Sequence, residues 1–190
     1  MTSANAASQF LPDDGAEVAV AGRSNAGKSS AINTIVNRRQ FARTSKTPGR
    51  TQLVNFFSLS ENRRLVDLPG YGFARVSGKL QDHWARLLDE YFHTRQSLRG
   101  LLLVVDIRRG LTAYDEQMMR FAADVELPVH VLLTKADKLK RGQAANTLLA
   151  VRKTLAGAAT AQLFSSLKRE GDAEARQVLD RFLEGRIPGE

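Results

Sequence analysis

The chain has 190 residues, a formal net charge of +8 and no cysteine. Its length favours a single domain with one hydrophobic core. The lack of cysteine excludes a disulfide scaffold, an iron–sulfur protein, a zinc finger and a cysteine hydrolase. The N-terminal stretch MTSANAASQF has no basic residue followed by an apolar run, and the longest apolar run, at 101–105, is far shorter than the roughly 20 residues that cross a bilayer. We therefore expect a soluble, cytoplasmic monomer that contacts no membrane.

The positive charge is concentrated in less than a third of the chain. Residues 18–75 hold the whole excess, with ten basic and two acidic residues, and the remainder balances to zero. A concentrated positive field indicates a polyanionic partner, and the lack of a membrane segment favours nucleic acid over lipid. The alternative is that part of this charge solvates a surface or neutralises a bound phosphate. The ten cations are Arg23, Lys28, Arg38, Arg39, Arg43, Lys46, Arg50, Arg63, Arg64 and Arg75.

Strand-like apolar runs alternate with amphipathic helical stretches along the chain. The polar turn Ser60–Arg64 joins two of the runs and predicts an antiparallel pair, whereas the other runs are separated by helices and predict parallel strands. The predicted strands cover 18–21, 53–59, 65–68, 101–107, 129–133 and 162–164. The predicted helices lie at 28–37, 80–92, 114–125, 148–155 and 178–182.

This alternation predicts an α/β fold with a six-stranded, mostly parallel sheet, one antiparallel strand and helices on both faces. We expect a flexible N-terminal segment at 1–14, a single domain at 15–185 and a frayed tail at 186–190.

A glycine-rich loop follows the first predicted strand. Residues Gly22–Ser29 read GRSNAGKS and satisfy the pattern G-x-x-x-x-G-K-[ST] between a strand and a helix. Glycines let successive backbone N–H groups converge on phosphate oxygens, and the start of the helix adds its positive end. Lys28 is then expected to reach the β- and γ-phosphates, and the Ser29 hydroxyl to ligate Mg²⁺. The sequence therefore predicts a site for a nucleoside triphosphate.

Three later segments favour guanine as the base. Asp67–Gly70 ends a strand and places a carboxylate near the metal and a glycine N–H near the γ-phosphate. Thr134–Asp137 ends another, and its last carboxylate can accept hydrogen bonds from the N1–H and amine of guanine, a donor pair that adenine lacks on that edge. The Lys135 stem can cover the base, and Ser165–Lys168 can present N–H groups to guanine O6. Each signal is weak alone, but their order and strand-end positions reinforce one another.

Six segments together resemble the bacterial EngB GTPases, a group related to Era and to the tRNA-modification GTPases. The resemblance covers residues 15–185 and implies a Ras-like P-loop fold with GTP and Mg²⁺ as ligands. It also implies a role in late assembly of the large ribosomal subunit and a link to cell division and septation. The segments are GRSNAGKSS (22–30), TPGRTQ (47–52), DLPGYG (67–72), DIRRGLT (106–112), TKADK (134–138) and SSLK (165–168).

The resemblance also implies the roles of individual residues. Gly49–Leu53 correspond to the first switch, in which Thr51 is the second Mg²⁺ ligand beside Ser29 and senses the γ-phosphate. Asp67–Gly70 correspond to the second switch. The implied catalytic residues are Lys28, Thr51 and Asn25. The implied nucleotide contacts are Gly22, Arg23, Ser24, Asn25, Ala26, Gly27, Lys28, Ser29, Gly49, Arg50, Thr51, Gln52, Leu53, Asp67, Leu68, Pro69, Gly70, Thr134, Lys135, Ala136, Asp137, Phe164, Ser165 and Ser166.

Two positions depart from GTPases at large. The base-reading motif starts with Thr134 where most carry Asn, and a hydroxyl replaces only part of the bonding of an amide; EngB-like proteins share this Thr. Tyr71 follows D-x-x-G where many GTPases carry a water-orienting Gln, so we expect slow turnover, on the order of 10⁻⁴ to 10⁻² per second. Asn25 matches a position that binds K⁺ in related GTPases, although it could instead bond within the loop, and Arg50 could add charge in cis.

The basic segment 40–52 is expected to be mobile without GTP and to be ordered when Thr51 meets Mg²⁺ and the γ-phosphate. Our hypothesis is that the GTP-bound protein docks on ribosomal RNA of the large subunit and that hydrolysis releases it. Two alternatives stay open: an ATP-using phosphotransferase, against which Asp137 argues, and a non-catalytic, GTP-gated adaptor in cell division. The proposed RNA contacts are Arg38, Arg39, Arg43 and Lys46.

Overall fold

The structure, a computed structural model, describes residues 1–42, 53–71 and 78–186. Within these ranges it has seven strands and five α-helices. Two short 3₁₀ turns lie at Ala7–Gln9 and Ala136–Lys138. The strands are β1 (Thr2–Ala4), β2 (Ala16–Gly22), β3 (Val54–Ser60), β4 (Arg63–Asp67), β5 (Leu98–Asp106), β6 (Val129–Thr134) and β7 (Thr160–Leu163). The helices are α1 (Lys28–Ile35), α2 (Gly78–Thr94), α3 (Ala113–Asp124), α4 (Arg141–Leu155) and α5 (Asp172–Leu183).

The described strands form one sheet in the order β1-β3-β4-β2-β5-β6-β7. The neighbours from β4 to β7 in that order are parallel. Strands β3 and β4 are antiparallel because a tight turn reverses the chain at Asn62, whose φ of 56° is in the left-handed region that Asn tolerates. The predicted α/β fold with a mostly parallel sheet is therefore confirmed.

The described sheet has seven strands instead of the six predicted from the sequence. The additional strand is β1, which pairs antiparallel with β3. The segment 1–14, expected to be flexible, thus contributes a sheet edge, and the Phe10 ring packs edge-on against Tyr91 with 5.6 Å between centroids. A three-residue strand is too short to show alternation in the sequence, and its pairing depends on tertiary contacts. The domain boundary at residue 15 remains a prediction.

Alternate residues of the central strands face two hydrophobic layers. Along β5, Leu101, Leu103 and Val105 pack with α2, α3 and α4, whereas Leu102 and Val104 face α1 and α5. The helices thus cover both faces, as predicted. Because the five strands from β4 to β7 in the sheet order are mutually parallel, their carboxyl ends meet at one edge, where open α/β sheets bind ligands. Among the described helices, none has the length and hydropathy that a bilayer crossing requires.

Candidate nucleotide-binding site

The glycine-rich loop connects the carboxyl end of β2 to the start of α1. Gly22 touches the neighbouring strand so closely that a Cβ there would lie 2.6 Å from the backbone oxygen of Val104. The loop then turns through Asn25, with φ 62°, and Gly27, with φ 100°, before α1 begins at Lys28. Two positive φ values in three residues wrap the backbone around a small volume at the helix N-terminus. This is the backbone that the phosphate-loop pattern predicts.

Lys28 and Asp67 form an ion pair at the mouth of this loop. Both side chains are largely buried, with exposed fractions of 10% and 6%. Asp67 is the last residue of β4, and its neighbour Leu68 donates a backbone hydrogen bond to Val20 over 3.0 Å, which keeps the strand end beside the loop. An ammonium and a carboxylate placed in this way can separate to meet a phosphate and a metal ion.

Tyr71 anchors the segment that follows D-x-x-G. Its backbone oxygen accepts a hydrogen bond from the Ser24 N–H over 2.9 Å, and its buried hydroxyl donates to Asp115 over 2.6 Å. Burial raises the pKa of Tyr71 well above its ordinary value, and the neighbouring carboxylate of Asp115 raises it further. The tyrosine hydroxyl is therefore committed to α3, which supports the prediction that this residue does not orient the attacking water.

Thr134 joins the base-reading motif to the phosphate loop. Its hydroxyl oxygen lies 2.5 Å from the backbone oxygen of Ala26 and 3.1 Å from that of Val105. A hydroxyl has one proton, so the shorter contact to Ala26 is the stronger hydrogen bond. Thr134 thus holds the end of β6 against the loop. The Asn that most GTPases carry at this position has two N–H donors, whereas the threonine hydroxyl has one.

Lys135, the residue after Thr134, also contacts the phosphate loop. Its backbone is left-handed, with φ 59°, and a Cβ on Gly27 would lie 3.9 Å from its Cε. The Lys135 ammonium donates to the backbone oxygen of Asn25 over 2.6 Å and to Asp106 over 2.9 Å. The lysine stem therefore lies alongside the loop. That it also covers the base remains a prediction.

Asp137 and Ser165 face each other at the other end of the site. The Ser165 hydroxyl donates to Asp137 over 2.6 Å, and the Lys138 ammonium lies 3.5 Å from the second carboxylate oxygen. The hydrogen bond from Ser165, followed by the charge of Lys138, lowers the pKa of Asp137 below its ordinary value. An ionised carboxylate is the acceptor that the two donors of guanine require. The Ala136 N–H also donates to the Phe164 oxygen over 3.1 Å, which fixes β6 to the last loop.

The structure brings four of the predicted segments together at the carboxyl edge of the sheet: Gly22–Ser29, Asp67–Gly70, Thr134–Asp137 and Phe164–Ser166. From the first switch, only Leu53 belongs to the described residues, directly before β3. The predicted roles of Gly49, Arg50, Thr51 and Gln52, and the RNA contacts at Arg43 and Lys46, lie outside the described residues.

Sequence analysis assigned no role to two supporting carboxylates, although the segment DIRRGLT begins with the first of them. Asp106 ends β5 and bonds Lys135, and Asp115 bonds both Tyr71 and the N-cap residue Thr112. The first could have been found, because an acidic residue that ends a continuous apolar strand belongs at the same edge as the other motifs. The second has no local signal, since its partners lie on distant segments of the chain.

Comparison with known proteins identifies the family. The family model described as "50S ribosome-binding GTPase" matches residues 17–135. The probable GTP-binding protein EngB of Methylococcus capsulatus is 53% identical over 177 residues, which cover 91% of this chain and 84% of that protein. A match to more than half of the chain and this level of identity both exceed what shared fold alone produces.

Solved structures show the same fold. The crystal structure of a probable GTP-binding protein engB aligns with a TM-score of 0.73 at 20% identity, over 90% of this chain and all 100% of that one. The structure of Era in complex with MgGDPNP and a segment of 16S ribosomal RNA aligns with a TM-score of 0.67 at 18% identity, over 93% of this chain and 58% of that one. The match to the family model and the 53% identity to the Methylococcus protein show that the chain belongs to the 50S ribosome-binding GTPase family, as an EngB-type GTP-binding protein.

Proposed function

We propose that the chain is a Mg²⁺-dependent GTP hydrolase that acts as an assembly factor for the large ribosomal subunit. The observation that carries the nucleotide part is the double contact of Thr134 and Lys135 with the phosphate loop, over 2.5 and 2.6 Å. These bonds keep the base-reading carboxylate at a fixed separation from the phosphate-binding amides. A single guanine nucleotide bound at this edge would contact both groups.

The residues fit a Mg²⁺ ion that is shared with the nucleotide. Ser29 follows Lys28 at the start of α1, close to Asp67 at the end of β4, and Mg²⁺ in proteins usually keeps water and phosphate oxygens beside one or two protein ligands. Within the described ranges, acidic and histidine side chains form no cluster of three that could hold a metal unaided. Ser29, together with Thr51, would hold the ion, which neutralises charge on the β- and γ-phosphate oxygens when bound.

Hydrolysis then depends on which groups reach the phosphates. Lys28 exchanges its partner Asp67 for phosphate oxygens, and the Gly70 N–H lies near the γ-phosphate. Since Tyr71 is held by Asp115, water orientation must come from elsewhere, and unassisted turnover is expected to be slow. The Asn25 side chain is exposed and makes no hydrogen bond with the described residues, which leaves its oxygen available to a K⁺ ion beside the phosphates.

Potassium dependence can be measured directly. GTP turnover is followed in equimolar KCl and NaCl for the wild-type protein, for Asn25→Ala and for the control Asn5→Ala, whose side chain is exposed on the N-terminal segment. Faster turnover in KCl that only Asn25→Ala loses supports the role of Asn25. Equal rates in the two salts, or a potassium response that survives in Asn25→Ala, rule it out.

The ribosomal part of the proposal is supported by the family description and by basic residues that follow the helix of the phosphate loop. Arg38 and Arg39 are exposed directly after α1, the helix whose other end begins at the phosphate loop. Positive side chains in this place can contact RNA phosphates while the loop holds nucleotide. Binding to the large subunit would then follow the nucleotide state, and hydrolysis would release the protein.

Co-sedimentation with large-subunit precursors tests this step. Binding is expected to be tighter with a GTP analogue than with GDP, and to weaken with salt. Replacing Arg38 and Arg39 by Ala should reduce the slope of log affinity against log salt by about 1 per lost phosphate contact, whereas Arg120→Ala, exposed on α3, should not. Identical sedimentation in both nucleotide states contradicts the proposal.

The proposed link to cell division runs through the supply of large ribosomal subunits. Depletion of the protein should first deplete mature large subunits and only later delay septation. A septation defect with normal ribosomal subunits, and with GTP binding but no ribosome-stimulated turnover, would instead favour the non-catalytic adaptor.

A further inference from the structure

Asp106 is a buried carboxylate at the nucleotide edge; it opens the segment DIRRGLT, to which the sequence assigned no nucleotide contact. It is the last residue of β5, is 5% exposed, and stands opposite Thr134 in the parallel register with β6. The Ile107 N–H donates to the Thr134 oxygen over 3.0 Å, so the two strand ends are fixed relative to each other. Asp106 therefore has a defined position beside the base-reading motif.

Both carboxylate oxygens of Asp106 are occupied by cationic donors. One oxygen accepts from the Lys135 ammonium over 2.9 Å and from the Arg108 guanidinium over 2.7 Å. The other accepts from the Arg108 Nε over 2.9 Å and from its backbone N–H over 3.1 Å. Burial alone raises the pKa of Asp106, but the hydrogen bonds from Arg108 and Lys135 outweigh it and hold the pKa well below the ordinary value. The group is a permanent negative charge at neutral pH.

Lys135 has few other constraints on its position. Its side chain is 30% exposed, and its ammonium ends a flexible four-carbon stem that loses conformational entropy when it is held in one rotamer. The ammonium nevertheless reaches the backbone oxygen of Asn25, where the loop has its left-handed φ of 62°. A fixed counter-charge 2.9 Å away offsets the ordering cost.

From this geometry we infer that Asp106 is a positioning residue for nucleotide binding: it fixes the Lys135 ammonium so that the lysine clamps the phosphate loop at Asn25 before the nucleotide arrives. The phosphate loop is then ordered before the nucleotide binds, so the entropy cost of ordering it does not lower the nucleotide affinity. In this role Asp106 acts through Lys135 and not by contact with the nucleotide. The inference rests on guanine-nucleotide binding, which the family establishes.

A double-mutant cycle tests the inference. GDP affinity in Mg²⁺ is measured by equilibrium titration for the wild-type protein, Asp106→Asn, Lys135→Met and the double variant. Asp106→Asn should weaken GDP binding by about tenfold, the usual effect of removing one charge-assisted hydrogen bond. In the Lys135→Met background the same change should alter GDP affinity by less than about twofold, because the group that it positions is gone. Asp124→Asn, an exposed carboxylate at the end of α3, is the matched control.

The outcomes separate positioning from a purely structural role. Unfolding of the nucleotide-free variants is followed alongside, since a structural role would lower stability without coupling to Lys135. Equal effects of Asp106→Asn in both backgrounds, or no effect on GDP affinity, overturn the inference. If Asp106→Asn does not fold, Asp106→Glu keeps the charge but displaces it, and the same cycle applies. Failure of the wild-type protein to bind GDP would refute the proposed function instead.

Discussion

Buried charged groups have different kinds of partner at the two ends of the parallel sheet. At the carboxyl end, Lys28 pairs with Asp67 and Asp137 with Ser165, and each member is a group that a nucleotide or its metal can take over. At the amino end, Glu17 is fully buried and is held by Arg95, Arg64 and Tyr91, away from the nucleotide motifs. A pair that a ligand can replace supports binding, whereas a pair closed within the core supports the fold.

The amino-end cluster ties three segments of the chain to Glu17. Arg95 donates to its carboxylate over 2.5 and 3.2 Å, Arg64 lies 3.2 Å from it, and the Tyr91 hydroxyl donates over 3.3 Å. Burial, followed by the charge of Glu17, raises the pKa of Tyr91 well above its ordinary value. Arg95 also donates to the Leu11 oxygen over 2.6 Å, which secures the N-terminal segment.

The largest predicted effect is on stability at the amino end. Glu17→Gln removes the nearest counter-charge of the buried Arg95 and leaves it only the more distant carboxylate of Asp13, 3.6 Å away, so it should lower the free energy of unfolding by about 3 kcal/mol. GDP affinity per folded molecule should change by less than about twofold, because the cluster is remote from the nucleotide. Denaturant unfolding and GDP titration measure the two quantities. The control Glu61→Gln, in the exposed β3–β4 turn, should leave both unchanged. Equal stability of Glu17→Gln and wild type would show that the cluster does not support the fold.

A second prediction uses His130, buried near the start of β6 at the same end. Burial, with a smaller contribution from the charge of Arg152, lowers its pKa from 6.5 to about 4. Between these values the unfolded chain binds a proton that the folded chain does not, so stability should fall as the pH drops from 6.5 toward 4. The loss attributable to His130 is on the order of 3 kcal/mol.

The measurement is urea unfolding across that pH range for wild type and His130→Asn. The variant should lose less stability than the wild type as the pH falls. Parallel curves for the two proteins would mean that the imidazole titrates normally in the folded state.

The sequence predicted the nucleotide edge much better than the amino end. A phosphate loop is specified by neighbouring residues, and a carboxylate at a strand end such as Asp137 is recognisable from the order of the elements. The hydrogen-bond partners of Glu17 and Tyr71 could not be predicted in this way, because they are dozens of residues away along the chain and only the packed fold brings them together. Strand β1 was not predicted either, because its pairing with β3 joins distant parts of the chain. The first switch, including Thr51, remains a prediction.

A smaller effect is predicted at Tyr71, which connects the nucleotide edge to α3. Tyr71→Phe removes the hydrogen bond to Asp115 and should lower the free energy of unfolding by about 1 to 2 kcal/mol. Turnover at saturating GTP should stay within about twofold, because the hydroxyl is committed to α3. Tyr114→Phe, whose partly exposed ring lies beside Tyr71, is the matched control. A much larger loss of turnover in Tyr71→Phe would assign the hydroxyl a role in hydrolysis.

Nucleotide choice is the most direct test of the claim that Asp137 selects guanine for a phosphate chain held at Gly22–Ser29. Purified protein in Mg²⁺ is titrated with GDP and with ADP, alongside Asp137→Asn. The structure predicts that GDP binds at least roughly 10³-fold more tightly than ADP, and that Asp137→Asn loses most of this preference, because an amide cannot accept both donors of guanine. Equal affinity for the two nucleotides, or an unchanged preference in Asp137→Asn, would contradict it.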